Sequence, residues 1–228
     1  MLIKFPLLLR LGDKGKKFFV QLVTLDIGMI VCAFIAETSP VASTSWCGLA
    51  ERHIDLGGTF TLDHSTYHSL IHCLCKSIRR HGFQRICVVN GHGSNIHALH
   101  VIAAELKQEL DLRILVCTYW TLPEVAKSFD KILEKQSNVR HAGEAETSML
   151  LYLKPELVDQ EALQKADGPL DLKMMGPGSY RWQSFKSMSP NGVIGCPSAA
   201  SAEKGAALLD AASKGVCRLL KDQETWSD

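Results

Sequence analysis

The stretch that decides the fold runs from residue 85 to residue 120 and reads RICVVNGHGSNIHALHVIAAELKQELDLRILVCTYW. Two apolar runs rich in β-branched residues, at 85–90 and 113–120, predict buried strands. Apolar residues at helical spacing over 95–110 predict a helix between them. A strand, a helix and a strand in this order make the two strands parallel. The segment therefore predicts an α/β fold whose parallel sheet is covered by helices on both faces.

The flanking sequence extends this pattern with further helices. Periodic apolar residues predict helices over 64–81, 122–135, 144–153 and 200–221. Residues 165–197 are rich in Gly, Pro, Ser and Met, and the stretch is too long for a plain linker, so we expect it to cover a site. A chain of 228 residues is the size of one compact domain.

Charge and cysteine usage exclude several classes of protein. The chain has 25 basic and 24 acidic side chains, and this balance argues against binding to nucleic acid or to an anionic membrane surface. None of the eight cysteines forms a CxxC motif, and several lie in apolar runs. This pattern indicates buried, reduced thiols and predicts a cytoplasmic protein rather than a disulfide framework.

The amino-terminal part contains an apolar run over 18–36, FFVQLVTLDIGMIVCAFIA, that allows two interpretations. One is a membrane span or signal anchor, since the run has about the length required. Asp26 lies near its middle, however, and a central Asp costs about 2.5–3.5 kcal/mol on insertion scales. The other interpretation, which we favour, is a buried strand and helix of the α/β domain, so no membrane partner is expected.

His92 stands between Gly91 and Gly93, directly after the predicted strand 85–90. Ligands of open α/β sheets gather at the carboxyl ends of the strands, and glycines there let a ligand approach closely. A metal-binding or catalytic role therefore competes with a structural one. A phosphate loop is the rival interpretation, but neither GxxxxGK[ST] nor GxGxxG is present.

Polar residues at two further places complete the candidate site. His141 precedes a predicted helix that carries Glu144 and Glu146 in its first turn, where carboxylates also simply complement the helix dipole. Glu51 and His53 precede a Gly-Gly-Thr turn, and this polar loop could line a pocket. Together the histidines and carboxylates supply the nitrogen and oxygen ligands of a divalent metal site, which could activate water for hydrolysis.

These motifs resemble the creatininase (creatinine amidohydrolase) family. The resemblance lies in NGHGSN (90–95) and HAGEAETSMLLYLKPELV (141–158). Two more pieces agree, because ERHIDLGGTFTL (51–62) resembles the family's EHxxFPGTxSL and GVIGCPSAASAEKG (192–205) resembles its GVxGDPxxATAEKG. The resemblance covers residues 25–221. It implies a compact α/β fold with a central, mostly parallel sheet, a two-metal site, hydrolysis of C–N bonds in cyclic or linear amides, and often a hexamer.

The resemblance also implies roles for particular residues. His92 matches the metal-binding histidine of the NGH motif, and Asp26 resembles the aspartate of a TD motif that bridges the two metals. In creatininase proper an acidic ligand follows the NGH histidine by two positions, where this chain has Ser94. Glu146, in the ETS motif, is the implied replacement. His141 matches a histidine near the scissile bond and is expected to carry a proton to the leaving nitrogen.

The first 24 residues depart from the family pattern. The family carries a GSxEQHGxHLPLxTD segment that supplies a glutamate and a histidine before the aspartate. Counting back from Asp26 leads to Gly15 and Lys17, and neither can ligate a metal in that role. We therefore expect an atypical segment over 1–24, in which two metal ligands and a sheet strand are missing, followed by a creatininase-like domain over 25–228. GCP at 195–197, in place of GDP, is a smaller departure.

Two functional hypotheses follow. The first is a metal-dependent amidohydrolase that uses zinc, or else manganese or iron, to attack a creatinine-, formamide- or peptide-like substrate with activated water. Because Ser94 replaces the creatininase-specific acid, a generic amidohydrolase ranks above creatininase proper. Substrate-pocket positions are assigned to Glu51, His53, Ser94 and Glu144. The second hypothesis is a degenerate, non-catalytic relative. Under either, a homo-oligomer is expected. Trp46, Trp120 and Trp182 could line a pocket, although buried tryptophans usually only pack.

Overall fold

The structure is a computed structural model that describes residues 18–23, 41–42, 44–56, 59–170 and 179–227. Asp26, the predicted bridging ligand, lies outside these ranges, as do Gly15 and Lys17. Their predicted roles therefore remain predictions.

Within the described residues, three strands form one parallel sheet in the order β1-β2-β3. The strands are β1 (Phe18–Val23), β2 (Arg85–Asn90) and β3 (Arg113–Thr118). Phe18 lies opposite Arg85, and Arg85 lies opposite Arg113, so the three strands start in register. The parallel pairing predicted from the stretch 85–120 is confirmed. The last strand ends at Thr118 rather than at 120 because Tyr119–Thr121 turn into a 3₁₀-helix.

β1 corrects one expectation. The amino-terminal segment was expected to lack a sheet strand, yet Phe18–Val23 pair with β2 along its whole length. The expectation was wrong because it was based on a missing side-chain motif. Strand pairing depends on main-chain N–H and C=O groups, which all six residues of β1 carry.

The described helices are α1 (His64–Arg80), α2 (Ile96–Leu110), α3 (Pro123–Ile132), α4 (Glu144–Leu153), α5 (Gln160–Leu163), α6 (Phe185–Met188) and α7 (Ala202–Lys221). The five longer helices lie where the apolar periodicity predicts them, with ends that differ by at most three residues, whereas the short helices α5 and α6 were not predicted. Ser201 caps α7, because its hydroxyl oxygen accepts a hydrogen bond from the N–H of Lys204 at 3.2 Å.

Alternate side chains of β2 pack into two separate cores. Ile86 and Val88 join the core built with α1 and α2, whose buried members include Tyr67, Ile71, Leu99 and Ile102. Cys87 and Val89 join the core built with α3, α4 and α7, whose buried members include Phe129, Met149, Leu208 and Leu209. Since successive side chains of a strand point to opposite faces, helices cover the sheet on both faces.

α7 packs closely against α4 on the second of these faces. A Cβ atom on Gly205 would lie 2.0 Å from the carbonyl oxygen of Ser148 and 2.9 Å from the Cβ of Tyr152. Only glycine therefore allows the two helices to approach this closely. The contact fixes α4, whose first turn carries a predicted site residue.

The apolar run over 18–36 falls only partly within the described residues. Its first six residues form β1, and 24–36 lie outside. Across the described ranges, no helix combines the length and the apolar character that crossing a bilayer requires.

Candidate functional site

A cavity of about 340 Å³ lies beyond the carboxyl end of β2. Its lining comes from residues 46–60, from the loop after β2, from the turn before α4 and from the first turn of α4. The described lining residues are Trp46, Gly48, Leu49, Ala50, His53, Leu56, Thr59, Phe60, His92, His141 and Glu146. Three histidines and one glutamate from four separate parts of the sequence thus meet at one place.

A buried asparagine at the end of β2 positions the His92 loop. Asn90 has no exposed surface, and its side-chain oxygen accepts hydrogen bonds from the N–H of His92 at 3.1 Å and from the amide of Asn95 at 3.4 Å. Its amide in turn donates to the hydroxyl of Thr118 on β3 at 3.1 Å. The NGH sequence therefore forms a loop that is tied to two strands.

His92 presents a nitrogen without a hydrogen-bond partner. Its Nε2 is buried, and no described residue bonds to it. Burial, with a smaller contribution from the neighbouring His53, lowers the pKa of His92 to about 4. The imidazole is therefore neutral at physiological pH, which is the form that donates a lone pair to a metal ion.

His53 lies at the centre of the histidine cluster. Its ring centroid is 5.0 Å from that of His92 and 4.5 Å from that of His141. Neither ring nitrogen of His53 has a hydrogen-bond partner among the described residues. Burial lowers its pKa, and the backbone carbonyl of Ala50, which favours the protonated ring, acts in the opposite direction.

Phe185, on α6, covers two of these histidines. Its ring stacks on His53 at 4.0 Å with an interplanar angle of 20°, and it lies 4.4 Å from His141. Arg52 holds this segment in place, because its Nε donates to the carbonyl of Gln183 at 2.8 Å and its guanidinium lies 5.3 Å from the Phe185 ring. The prediction that 165–197 covers a site agrees with this contact, although 171–178 lie outside the described residues.

Glu146 and His141 lie at the start of α4. One carboxylate oxygen of Glu146 accepts a hydrogen bond from the N–H of Ala142 at 2.7 Å, which connects the helix to the turn before it. Burial raises the pKa of Glu146 to about 7, and this hydrogen bond acts against the rise. Burial lowers the pKa of His141 to about 4, with smaller contributions from His53 and His92.

Glu144 does not line the cavity, although the sequence pattern placed it in the pocket. Its side chain is fully buried and forms an ion pair with Lys204 Nζ at 2.7 Å. It also accepts hydrogen bonds from the N–H groups of Glu134 and Lys135, each at 2.8 Å. Burial acts to raise its pKa, but these partners outweigh that effect and hold it below its usual value. Glu144 thus fixes the start of α4.

Two other predicted pocket residues also lie away from the described lining. Glu51 is exposed, and Ser94 is half-buried in the short 3₁₀-helix after His92. His53 is the one of the four proposed pocket residues that lines the cavity. Phe60 and Phe185 contribute to the site without any signal in the sequence motifs, because aromatic residues in loops are indistinguishable from ordinary packing residues before the fold is known.

The donor chemistry fits a divalent cation, but the described donors are few. His92 offers an unpaired imidazole nitrogen, and Glu146 offers carboxylate oxygen beside the same cavity. Among the residues that the structure describes, no group of three or more His, Cys, Asp or Glu is arranged to hold a metal ion. A complete site would therefore need a ligand from outside them, and Asp26 is the predicted one.

Comparisons with known proteins agree with the sequence motifs. A family model described as creatininase, creatinine amidohydrolase, matches residues 25–220. The chain is 24% identical to the creatinine amidohydrolase of Pseudomonas putida over 179 residues, which cover 73% of this chain and 66% of that protein. It is 32% identical to the mycofactocin precursor peptide peptidase of Mycobacterium ulcerans over 122 residues, 53% of this chain and 42% of that protein. The alignments thus span less than two thirds of the length of either relative.

Solved structures show the same fold. A manganese creatininase matches with a TM-score of 0.72 at 20% identity, over 92% of this chain and 91% of that one. A creatininase of the Zn–Zn type matches with a TM-score of 0.71 at 21% identity, over 91% of this chain and 90% of that one. At this level of identity the likeness establishes the fold.

Proposed function

The chain belongs to the creatininase family, and from this membership we propose that it is a metal-dependent amidohydrolase that cleaves a C–N bond of a cyclic or linear amide. One observation carries the proposal. His92 lies on a different part of the chain from His141 and Glu146, yet the three line a single cavity in which the Nε2 of His92 has no described hydrogen-bond partner.

The chemistry of the relatives supports the reaction class. One relative is a creatinine amidohydrolase and the other is a peptide peptidase, and both names describe hydrolysis of a C–N bond. Their substrates differ, so the shared feature is the bond rather than the molecule. We propose a generic amidohydrolase rather than a creatininase proper, because Ser94 stands where the resemblance calls for an acidic ligand.

We assign His92 and Glu146, together with Asp26, as the ligands of the metal. Zinc is the first choice and manganese or iron the alternatives, in keeping with the zinc and manganese forms of the solved creatininases. When bound, such an ion lowers the pKa of a water molecule and polarises the substrate carbonyl. Burial of His92 keeps its imidazole neutral, so its lone pair is available for this role.

His141 is assigned to carry the proton to the leaving nitrogen. Its imidazole lines the cavity next to His53. A leaving amide nitrogen departs easily only when it is protonated, so a side chain that can accept and then donate a proton is required nearby. Phe185 packs over His141 and His53 and limits the access of bulk water to them.

Metal content tests the proposal directly. Purified protein should contain two equivalents of zinc, manganese or iron per chain, as measured by plasma mass spectrometry. His92→Ala should lose the metal and keep its far-ultraviolet circular dichroism, whereas His97→Ala, an exposed histidine on α2, should keep both. The site assignment fails if His92→Ala retains metal and amide hydrolysis.

A second candidate function is that of a non-catalytic relative. The absence of a three-ligand group among the described residues favours it, as do Gly15 and Lys17 at the positions where the resemblance calls for ligands. This candidate predicts no bound metal, no rescue by added zinc or manganese, and no turnover of creatinine, a formamide or a short peptide. Under both candidates we propose that the protein is cytoplasmic and forms a homo-oligomer. Analytical ultracentrifugation of the purified protein would detect the oligomer.

A further inference from the structure

Two exposed aromatic side chains form the solvent side of the cavity. Trp46 is 69% exposed and Phe60 is 72% exposed, although both line the cavity. Their rings meet edge to face, with the centroids 5.9 Å apart and an interplanar angle of 81°. An edge-to-face pair leaves the flat face of one ring open, and such a face stacks favourably on another ring.

The remaining wall of the cavity has an apolar part and a polar part. Leu49 and Leu56 continue the apolar surface from the two aromatic rings. The histidines and Glu146 form the polar part. A ligand that matches this wall has a polar group at one end and an apolar group at the other.

Near the aromatic pair the described lining carries no ionic group. Within the whole described lining there is no lysine or arginine, and the one carboxylate, Glu146, is assigned to the metal by the proposed function. Arg52 is next to His53 in sequence, but its guanidinium is engaged with the carbonyl of Gln183 and the ring of Phe185. The part of a ligand that packs on the two rings therefore finds no charged side-chain partner there, which suits an apolar group.

We infer that the substrate is an amide bearing an aromatic or similar apolar ring, which packs against Trp46 and Phe60 while its amide group lies beside His92, His141 and Glu146. This inference rests on the proposed function and adds the substrate class to it. A volume of about 340 Å³ is in the range of small-molecule pockets and suits a ligand with a single ring.

Binding of two ureas tests the inference without turnover. N-benzylurea and N-methylurea share a urea group that mimics an amide, and they differ in that only the first carries a phenyl ring. Isothermal titration calorimetry on the full-length protein, as purified and with its metal, should show N-benzylurea binding at least tenfold more tightly. Trp46→Ala and Phe60→Ala should each weaken N-benzylurea about fivefold to tenfold, the size expected for one aromatic contact.

Trp182→Ala is the matched control. Trp182 is also exposed, at 53%, but it does not line the cavity, so its removal should leave both affinities unchanged. Circular dichroism confirms that each variant is folded. Because all three side chains are exposed, none of the substitutions opens a hole in the core.

Several results would overturn the inference. These are equal affinity for the two ureas, no binding of N-benzylurea at millimolar concentration, or an equal effect of Trp182→Ala. Size-exclusion chromatography adds another: if Trp46→Ala changes the oligomeric state and not the affinity, a second copy of the chain covers the aromatic pair instead.

Hydrolysis separates this inference from the proposed function. N-benzylformamide and N-methylformamide are the corresponding cleavable pair. Cleavage of both at equal rates refutes the substrate class and leaves the amidohydrolase proposal standing. Tight binding of N-benzylurea without cleavage of any amide supports the binding pocket for a ring-bearing amide and refutes the amidohydrolase proposal.

Discussion

Replacement of Lys204 by methionine is expected to destabilise the protein strongly. Lys204 Nζ lies 2.7 Å from a carboxylate oxygen of Glu144, 2.6 Å from the carbonyl of Ala199 and 3.0 Å from Glu134. The Glu144 side chain has no exposed surface, so Lys204→Met leaves a buried carboxylate without its counter-ion. Removal of one partner of a buried pair costs about 3–5 kcal/mol.

We expect the lower end of this range, about 3 kcal/mol, because Glu144 keeps its hydrogen bonds from two backbone N–H groups. Urea unfolding followed by circular dichroism at 222 nm measures the free energy of unfolding. For a chain of this size the same loss corresponds to a melting temperature lower by about 6–12 °C.

The effect should depend on pH in a defined direction. The pKa of Glu144 in the folded protein lies below its usual value, so its stabilising contribution is complete above about pH 4.5 and is lost as the pH falls through the folded pKa. In Lys204→Met the pKa of Glu144 rises, because burial then acts with less opposition. The difference in stability between the two proteins should thus be largest at pH 7 and should shrink below about pH 4.5.

Lys214→Met on the same helix is the matched control. Lys214 pairs with Asp210 at 2.7 Å, but both side chains are more than half exposed. Exposed pairs contribute about 0–1 kcal/mol, so this variant should stay close to the wild type. The assigned role of Glu144 is refuted if Lys204→Met costs less than about 1 kcal/mol at pH 7, or if its cost is the same at pH 4 and pH 7.

Three further predictions concern α7 and the metal. Gly205→Ala should destabilise the protein by about 1–3 kcal/mol in thermal unfolding, because the new methyl group meets the carbonyl of Ser148. Gly93→Ala is the control and should cost less, since nothing lies within 4 Å of its new Cβ. Ser201→Ala should cost about 1 kcal/mol in urea unfolding because it removes the α7 cap, and Ser201→Asp should retain most of that stability; equal losses would show that the cap contributes nothing. Dialysis against a chelator should lower the melting temperature, and added zinc should restore it. At a free zinc concentration of a hundred times its dissociation constant, the free energy of unfolding should rise by about 2.7 kcal/mol. An unchanged melting temperature would count against a bound metal.

Local sequence patterns predicted most of the helices and strands for identifiable reasons. The run RICVVN is fully apolar except at its ends because both faces of β2 are buried, and such a run is readable without any tertiary information. The α4 boundaries, Glu144 and Leu153, agree with the prediction because acidic residues open the helix and a proline follows its end. The carboxyl end of α3 was less accurate, because the helix stops at Ile132 where Leu133 becomes extended, and no glycine or proline in the directly following sequence marks this end.

The candidate site was predictable where glycine-flanked or helix-opening residues carry the signal. His92, His141 and Glu146, which their places at element boundaries and the family resemblance singled out, line one cavity together with His53, and their chemical roles stay predictions. Glu144 was harder to assign, because its partner Lys204 lies 60 residues away and neighbouring residues cannot reveal it. A carboxylate in the first turn of a helix looks the same in sequence whether it faces a ligand or a lysine.

β1 shows that the formation of a sheet strand and the supply of metal-binding side chains are two separate requirements on the sequence. Its residues precede the part of the chain that the family model matches, yet they hydrogen-bond to β2 residue by residue. Architecture of this kind is tolerant, because almost any six extended residues can occupy an edge position in a parallel ladder. A metal-binding site does not tolerate such exchange, because the lone pair that binds the metal has to come from one particular side-chain atom. A strand of such a sheet can therefore change its sequence in evolution while the fold is conserved. Catalytic activity is conserved only where the reactive side chains themselves are retained.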